Sequence, residues 1–179
     1  YDATQPSRLE ALIAASNDLP DAEIRRVQHL VTQILRRKLT KYNLDADPVD
    51  ISPGYRVLVV GQVEDDASVR FGCADVKTNG ALLAAARAAH PNAVLVYKPH
   101  PDVIAGLRKG AVPADQLRIY ADVIADQAPP LPLIEAVDEV WTITSLLGFE
   151  ALIRGAPVTC LGLPFYAGWG LSVDENPVP

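Results

Sequence analysis

Four short apolar runs set the terms for this chain: Tyr55-Arg56-Val57-Leu58-Val59-Val60, Ala93-Val94-Leu95-Val96-Tyr97, Glu139-Val140-Trp141-Thr142-Ile143 and Pro157-Val158-Thr159-Cys160-Leu161. Each is too short for a helix that buries a face, rich in β-branched residues, and bounded by Gly, Pro or a polar turn. Apolar side chains at consecutive positions point to both faces of a strand, so these strands must be covered on both sides, the condition of a parallel sheet. Helical patterns fill the intervals. Thr78 caps an Ala-rich helix over 78–90 stopped by His90-Pro91, a short helix or turn runs from Val103 to about Lys109, and brief helices follow over 132–137 and 148–154, the last ended by Gly155-Ala156. Leu117-Arg118-Ile119-Tyr120 reads as a further short strand. Strands alternating with helices at this rhythm predict an α/β fold with a Rossmann-like, doubly wound parallel sheet over residues 51–179.

Residues 1–50 read differently, as an N-terminal helical linker region of two helices. Ser7 caps the first, over 7–17, where Leu9, Leu12 and Ile13 recur at helical spacing; Asp18 is the expected cap of the second, with Pro20 in its first turn. Ile24, Val27, Leu30, Val31, Ile34, Leu35 and Leu39 form one apolar stripe as far as Lys41, with Arg25, Arg26, Arg36, Arg37 and Lys38 around the rest. The spacing predicts a long helix packed on the sheet with a solvated basic face. The chain begins at Tyr1, contains no Met, and ends on Asn176-Pro177-Val178-Pro179, which reads as a segment of a longer protein.

Composition excludes several classes. With 49% apolar and 21% charged residues the chain is neither disordered nor fibrous, and no apolar run reaches the length of about 18 residues needed to cross a bilayer. A net charge of −6 argues against a nucleic-acid partner. The charge is uneven: residues 1–110 hold 14 basic and 13 acidic side chains, residues 111–179 only 2 basic against 9 acidic. Cys73 and Cys160 stand alone, without metal-ligand or CxxC spacing, and read as reduced cysteines used as small hydrophobes in a cytoplasmic protein.

Ligands in such folds sit outside the carboxyl ends of the strands. Three of those ends carry polar clusters. Gly61-Gln62-Val63-Glu64-Asp65-Asp66-Ala67-Ser68 follows the first strand; its three carboxylates suit a metal, an Asp nucleophile or base, or simply an exposed acidic loop. Lys98-Pro99-His100-Pro101-Asp102 follows the second, with two prolines fixing the backbone so that Lys98 and His100 are aimed rigidly and can meet a phosphate. Thr144-Ser145 precedes the helix near Gly148, where hydroxyls and free N–H groups form an anion site or a plain cap. A fourth cluster, Gly162-Leu163-Pro164-Phe165-Tyr166-Ala167-Gly168-Trp169-Gly170-Leu171-Ser172, reads as a structured loop or a platform beside a ligand. No GxGxxG, GxxxxGK[ST] or GxSxG occurs, and His29 and His90 read as structural.

Together these strings resemble the capsule polysaccharide biosynthesis family of the KpsC type, bacterial Kdo glycosyltransferases. The matching stretches are YDAT at 1–4, GQVEDDAS at 61–68, YKPHPDV at 97–103, TSLLGFEALIRGAPV at 144–158 and GLPFYAGWGLS at 162–172, nearly the whole length of the chain. The resemblance implies the C-terminal, nucleotide-sugar-binding half of a GT-B-like module that transfers Kdo from CMP-β-Kdo with retention. It implies a glycolipid acceptor, lysophosphatidylglycerol-linked Kdo, bound through the missing half, and leaves room for peripheral association with the inner membrane. It implies catalytic roles for Asp66, as nucleophile of a double displacement, and for Glu64. It implies donor-binding roles for Gln62, Ser68, Lys98, His100, Thr144 and Ser145, and gives none to Asp65. No metal and no resident cofactor are expected. The competing reading is a non-catalytic nucleotide- or glycan-binding module of a capsule synthesis or export protein.

Overall fold

The computed structural model describes residues 7–41 and 50–175. The YDAT string, the last four residues and the predicted boundary region around 42–49 lie outside them.

Six strands form one parallel sheet: β1 Arg56–Val60, β2 Val94–Lys98, β3 Val123–Ile124, β4 Glu139–Thr142, β5 Val158–Cys160 and β6 Val173–Asp174, in the order β3-β2-β1-β4-β5-β6. This is the Rossmann order, in which the chain runs outward from β1 to one edge and then to the other. Strand alternation divides the apolar runs between two cores. Val57, Val59, Leu95, Tyr97 and Trp141 face α4 (Asn79–Ala89), α3 (Ala67–Phe71) and α6 (Ala114–Tyr120). Leu58, Val60, Val96, Val140 and Val158 face α7 (Pro130–Ala136) and α8 (Leu146–Ile153). Burying both faces is what the unbroken valine and leucine runs required.

Several elements differ from the sequence reading. Leu117–Tyr120 is the end of α6 rather than a strand. Its β-branched and aromatic residues suggest a strand, but Pro113 sets an extended cap and Asp115 favours the first turn, so a helix starts at Ala114. The strand of that region is β3, six residues further on. Helix α8 begins at Leu146 under a Ser145 cap, two residues before the expected Gly148.

At the N-terminus, α1 (Arg8–Ala14) carries the expected Ser7 cap, completed by Glu10 as a capping box. Asp18 does not cap the next helix. It closes a 3-10 turn, and Pro20 takes the cap position of α2 (Asp21–Arg36), its carbonyl accepting from Glu23 and Ile24. Helix α2 stops five residues short of Lys41, because Lys38 turns left-handed at φ 51° and Leu39 N–H folds back to the Ile34 carbonyl. The apolar stripe of α2 is not packed on the sheet: Leu30 is 53% exposed and no residue of α2 is buried. The faces of the central strands β1, β2, β4 and β5 are already covered by α3, α4, α6, α7 and α8. No helix among the described residues is long and apolar enough to cross a membrane.

Candidate active site

The strand order reverses between β1 and β4, and the carboxyl ends of these strands and of β2 open into a cleft of about 660 Å³. That is the size of a small-molecule site, at the place where the fold predicts one. Gln62, Asp66 and Ser68 enter it from the β1 loop, Lys98 and His100 from the end of β2, and Thr144 and Ser145 from the end of β4.

One directed hydrogen-bond chain ties these loops together. Gln62, 7% exposed, donates from Nε2 to Thr144 Oγ1 at 2.9 Å, Thr144 Oγ1 donates to Ser68 Oγ at 3.0 Å, and Ser68 Oγ donates to Asp66 Oδ1 at 2.7 Å. Every donor points toward the carboxylate, so each bond polarises the next. Gln62 Oε1 accepts from the Thr144 amide at 2.8 Å and from Thr142 Oγ1 at 3.2 Å, which fixes its amide orientation. Asp66 also caps α3, accepting from the Ser68 amide at 2.9 Å. The Ser68 hydroxyl, then its amide, holds the Asp66 carboxyl below the ordinary carboxylate range, with smaller contributions from the charges of Arg108 and His100 and some opposition from burial. Asp66 is therefore an ionised, oriented carboxylate at the mouth of an otherwise neutral polar network.

Glu64 is not brought to the cleft. Its Oε1 accepts from the Asn79 amide at 2.7 Å, at the start of α4. Asn79, fully buried, exchanges bonds of 2.8 Å with Gln62 N–H and the Gln62 carbonyl and reaches Gly110 as well. Glu64 and Asn79 together pin the β1 loop to α4. Asn79 was not picked out in the sequence, where it is one residue beyond an ordinary Thr78 cap.

His100 is extended (φ −70°, ψ 137°), as its flanking prolines require, and it caps α5 (Pro101–Ile104): Nδ1 accepts from the Asp102 amide at 3.2 Å. A nitrogen that accepts carries no proton, so the neutral ring holds its hydrogen on Nε2. Burial pushes the His100 pKa down, Lys41 and Arg108 push the same way, and Asp102 and Asp66 oppose. Lys98 Nζ is partly committed, donating to the Asp126 carbonyl at 2.8 Å; burial lowers its pKa. It holds the loop after β3 against the cleft while adding positive charge beneath it.

Ser145 caps α8, accepting at Oγ from the Leu147 amide at 3.2 Å, so the positive end of an eight-residue helix opens on the cleft. Tyr166 supports it from behind, its hydroxyl donating to the Ser145 carbonyl at 2.5 Å. That reach passes Gly148, where any Cβ would overlap the Tyr166 hydroxyl. The Gly-aromatic loop thus braces α8, with Phe165 and Tyr166 packed on Phe149 at ring separations of 5.0 and 6.0 Å, and does not line the cleft. Asp65 acquires a role: it pairs at 2.9 Å with Arg108, a cleft residue that sequence reasoning missed. Lys41, Asp126 and Glu150 also line the cleft. Cys73 and Cys160 are buried free thiols, their pKa values pushed up by burial to about 11 and about 12.

A Rossmann-type domain whose switch-point cleft combines a helix N-terminus, a histidine donor and an ionised carboxylate is half of a GT-B-like module. The chain belongs to the capsule polysaccharide biosynthesis protein family, whose profile matches residues 24–179. It is 42% identical over 181 residues to the capsule polysaccharide modification protein LipA of Neisseria meningitidis serogroup A, covering all of this chain and 26% of LipA. It is 43% identical over 184 residues to the lipopolysaccharide-processing protein LpsZ of Rhizobium meliloti, covering 42% of that protein. The fold matches the KpsC beta Kdo 2,7 transferase of Thermosulfurimonas dismutans at TM-score 0.82 and 42% identity, and its beta Kdo 2,4 transferase at 0.84 and 35%. The match covers 100% and 98% of this chain, and 54% and 56% of those chains. The chain thus spans between a quarter and somewhat over half the length of these relatives.

Proposed function

We propose that this chain is the donor-binding and catalytic half of a retaining β-Kdo glycosyltransferase that builds the linker of a capsular polysaccharide, with CMP-β-Kdo as donor. The observation that supports this most is the meeting, in one cleft, of an ionised carboxylate at the end of a polarising hydrogen-bond chain with donors suited to a phosphate. The two Kdo transferases among the fold's relatives make Kdo the natural sugar.

Asp66 attacks the anomeric carbon and forms a glycosyl ester, while the CMP phosphate leaves with the electron pair of the broken bond. An acceptor hydroxyl then displaces the Asp66 carboxylate and gives its proton to the released CMP phosphate or to water, and the two inversions restore the starting configuration. His100 Nε2–H and the N-terminus of α8 at Ser145 hold the phosphate and stabilise the charge that develops on it. Gln62, Thr144 and Ser68 orient the nucleophile, and Glu64 holds their loop in place. The glycolipid acceptor, lysophosphatidylglycerol-linked Kdo, is held by other parts of a longer protein at the cytoplasmic face of the inner membrane. In this reading the donor is a consumed substrate, and no resident cofactor is part of the proposal.

The test is Asp66→Ala in the longer protein. The variant should bind CMP as wild type does and transfer no Kdo, and wild-type enzyme given donor without acceptor should gain the mass of one Kdo on the peptide carrying Asp66. Undiminished transfer by the variant would remove Asp66 from the chemistry. Absence of transfer by the wild type with CMP binding intact would favour a non-catalytic nucleotide-binding module.

A further inference from the structure

The turn after α5 reaches across to the β1 loop. Gly106 turns left-handed at φ 70°, and the amides of Leu107 and Arg108 both fold back to the Asp102 carbonyl, at 2.9 and 3.2 Å. On the far side, the Glu64 amide donates to the Lys109 carbonyl at 3.0 Å and Asn79 Nδ2 to the Gly110 carbonyl at 2.8 Å. Arg108 thus stands on backbone fixed from both sides. Its side chain crosses to Asp65, the neighbour of Asp66, where Nε and Nη2 donate to the same oxygen, Oδ1, at 3.3 and 2.9 Å. Among the described residues Nη1 has no hydrogen-bond partner. Arg108 lines the cleft that Asp66 and His100 enter. The pair with Asp65 is half-exposed, where an ion pair adds little to stability. What the pair does fix is the place of a planar cation, bonded to the residue next to an ionised carboxylate.

We propose that Arg108 is a specificity-determining residue for acidic sugars: steadied by Asp65, its guanidinium takes the carboxylate that the donor's anomeric carbon carries. This rests on the donor-site reading above. In Kdo, as in any 2-keto sugar acid, the carboxylate is attached directly to the anomeric carbon, one bond from the atom that Asp66 attacks. Attack therefore brings two carboxylates together, and a cation standing on that side offsets their repulsion. Arg108 stands there through its bonds to Asp65. The two anionic groups of the donor then have separate partners, the phosphate at His100 and the N-terminus of α8, the sugar acid at Arg108. A guanidinium suits a carboxylate because its planar fork offers parallel N–H groups and is more weakly hydrated than an ammonium. The Arg108 charge acts on both neighbours: behind the Ser68 bonds it helps to hold the Asp66 carboxyl down, and behind burial it pushes the His100 pKa down. A sugar without the acid group gains nothing from it.

The test compares Arg108→Gln, Arg108→Lys and Asp65→Asn with wild type in the longer protein, reading kcat/KM for CMP-β-Kdo and the inhibition constant of CMP. Arg108→Gln should lower kcat/KM about tenfold, the lower end of what a hydrogen bond to a charged group contributes. Inhibition by CMP, which has no sugar acid, should stay at the wild-type value. Arg108→Lys, with the charge but without the fork, should recover part of the loss. Asp65→Asn keeps the guanidinium and only loosens it, so it should cost about threefold or less. Unchanged kcat/KM in Arg108→Gln overturns the assignment. Equal weakening of CMP and of the donor overturns it too, because the contact is then with the nucleotide. Equal losses in Asp65→Asn and Arg108→Gln mean that the pair merely holds the β1 loop, and overturn it as well. Wild type that neither transfers Kdo nor binds CMP removes the donor-site reading and this inference with it. An active wild type inhibited by CMP keeps that reading and leaves the Arg108 assignment to stand or fall on the variants.

Discussion

Replacing Thr144 by Val keeps the volume and removes one hydroxyl, and the structure says what that hydroxyl does. Thr144 is 8% exposed, and its Oγ1 accepts from Gln62 Nε2 at 2.9 Å and donates to Ser68 Oγ at 3.0 Å. In Thr144→Val the Gln62 amide N–H loses its acceptor in a buried setting, a cost of about 1–3 kcal/mol. Ser68 is only half-buried and still donates to Asp66, so it can find water and adds little to that cost. For a chain of this size each kcal/mol moves the melting temperature by about 2–4 °C, so the fall should lie between about 2 and 12 °C. Thr144→Ser, which keeps the hydroxyl, should lose less. Urea melts give the free energy and show from the unchanged slope that the native state is otherwise intact. In parallel, the Asp66 carboxyl should titrate at higher pH in the Val variant, because the chain that polarises Ser68 toward it is cut. A loss below about 0.5 kcal/mol, the ordinary scale of an uninvolved substitution, would show that Gln62 finds another partner and that no directed chain to Asp66 exists.

Other outcomes can be checked in the same system. Gly148→Ala should destabilise by about 1–3 kcal/mol, because the new methyl meets the Tyr166 hydroxyl, and adding Tyr166→Phe should recover part of the loss in a double-mutant cycle. His100 has a folded pKa below its unfolded value, so the unfolded chain binds its proton first; its stability contribution is complete above pH 6.5 and is lost as the pH falls from there through the folded pKa. Wild type should show that loss in pH-dependent melts, and His100→Gln should lack it. Asp65→Asn should change stability by under about 1 kcal/mol, since the Arg108 pair is half-exposed; a larger change would mean that the pair holds the β1 loop.

Legibility in the sequence followed from how local each signal was. The four apolar runs carry their strand character in five or so consecutive residues; β1, β4 and β5 lie within them, and β2 extends one residue past its run to Lys98. Caps at Ser7 and Thr78 were likewise readable, because a capping side chain bonds within three residues of itself. Strands β3 and β6, two residues each, are too short to show a period and exist through pairing with β2 and β5. Helix α6 runs against its local residue preferences: Ile119 and Tyr120 favour strands, yet Ile119 is 66% exposed on a helix held by its Pro113 start. At the site, the strand-end clusters placed Gln62, Asp66, Ser68, Lys98, His100, Thr144 and Ser145 around one cleft. Glu64, two residues from Asp66 in the same acidic string, instead turns to α4, a choice made by Asn79 fifteen positions away. Lys41 and Arg108 reach the cleft through a partner 109 positions distant and one 43 distant, and nothing within a few residues of either announces it.

The most direct measurement of the central claim is calorimetric titration of this chain with CMP, with UDP as control. A donor site built from His100, Ser145 and their neighbours predicts binding of CMP in preference to UDP, with the CMP signal lost in His100→Ala. Equal binding of the two nucleotides, or CMP binding that survives His100→Ala, would contradict the assignment of this cleft as the CMP-β-Kdo site.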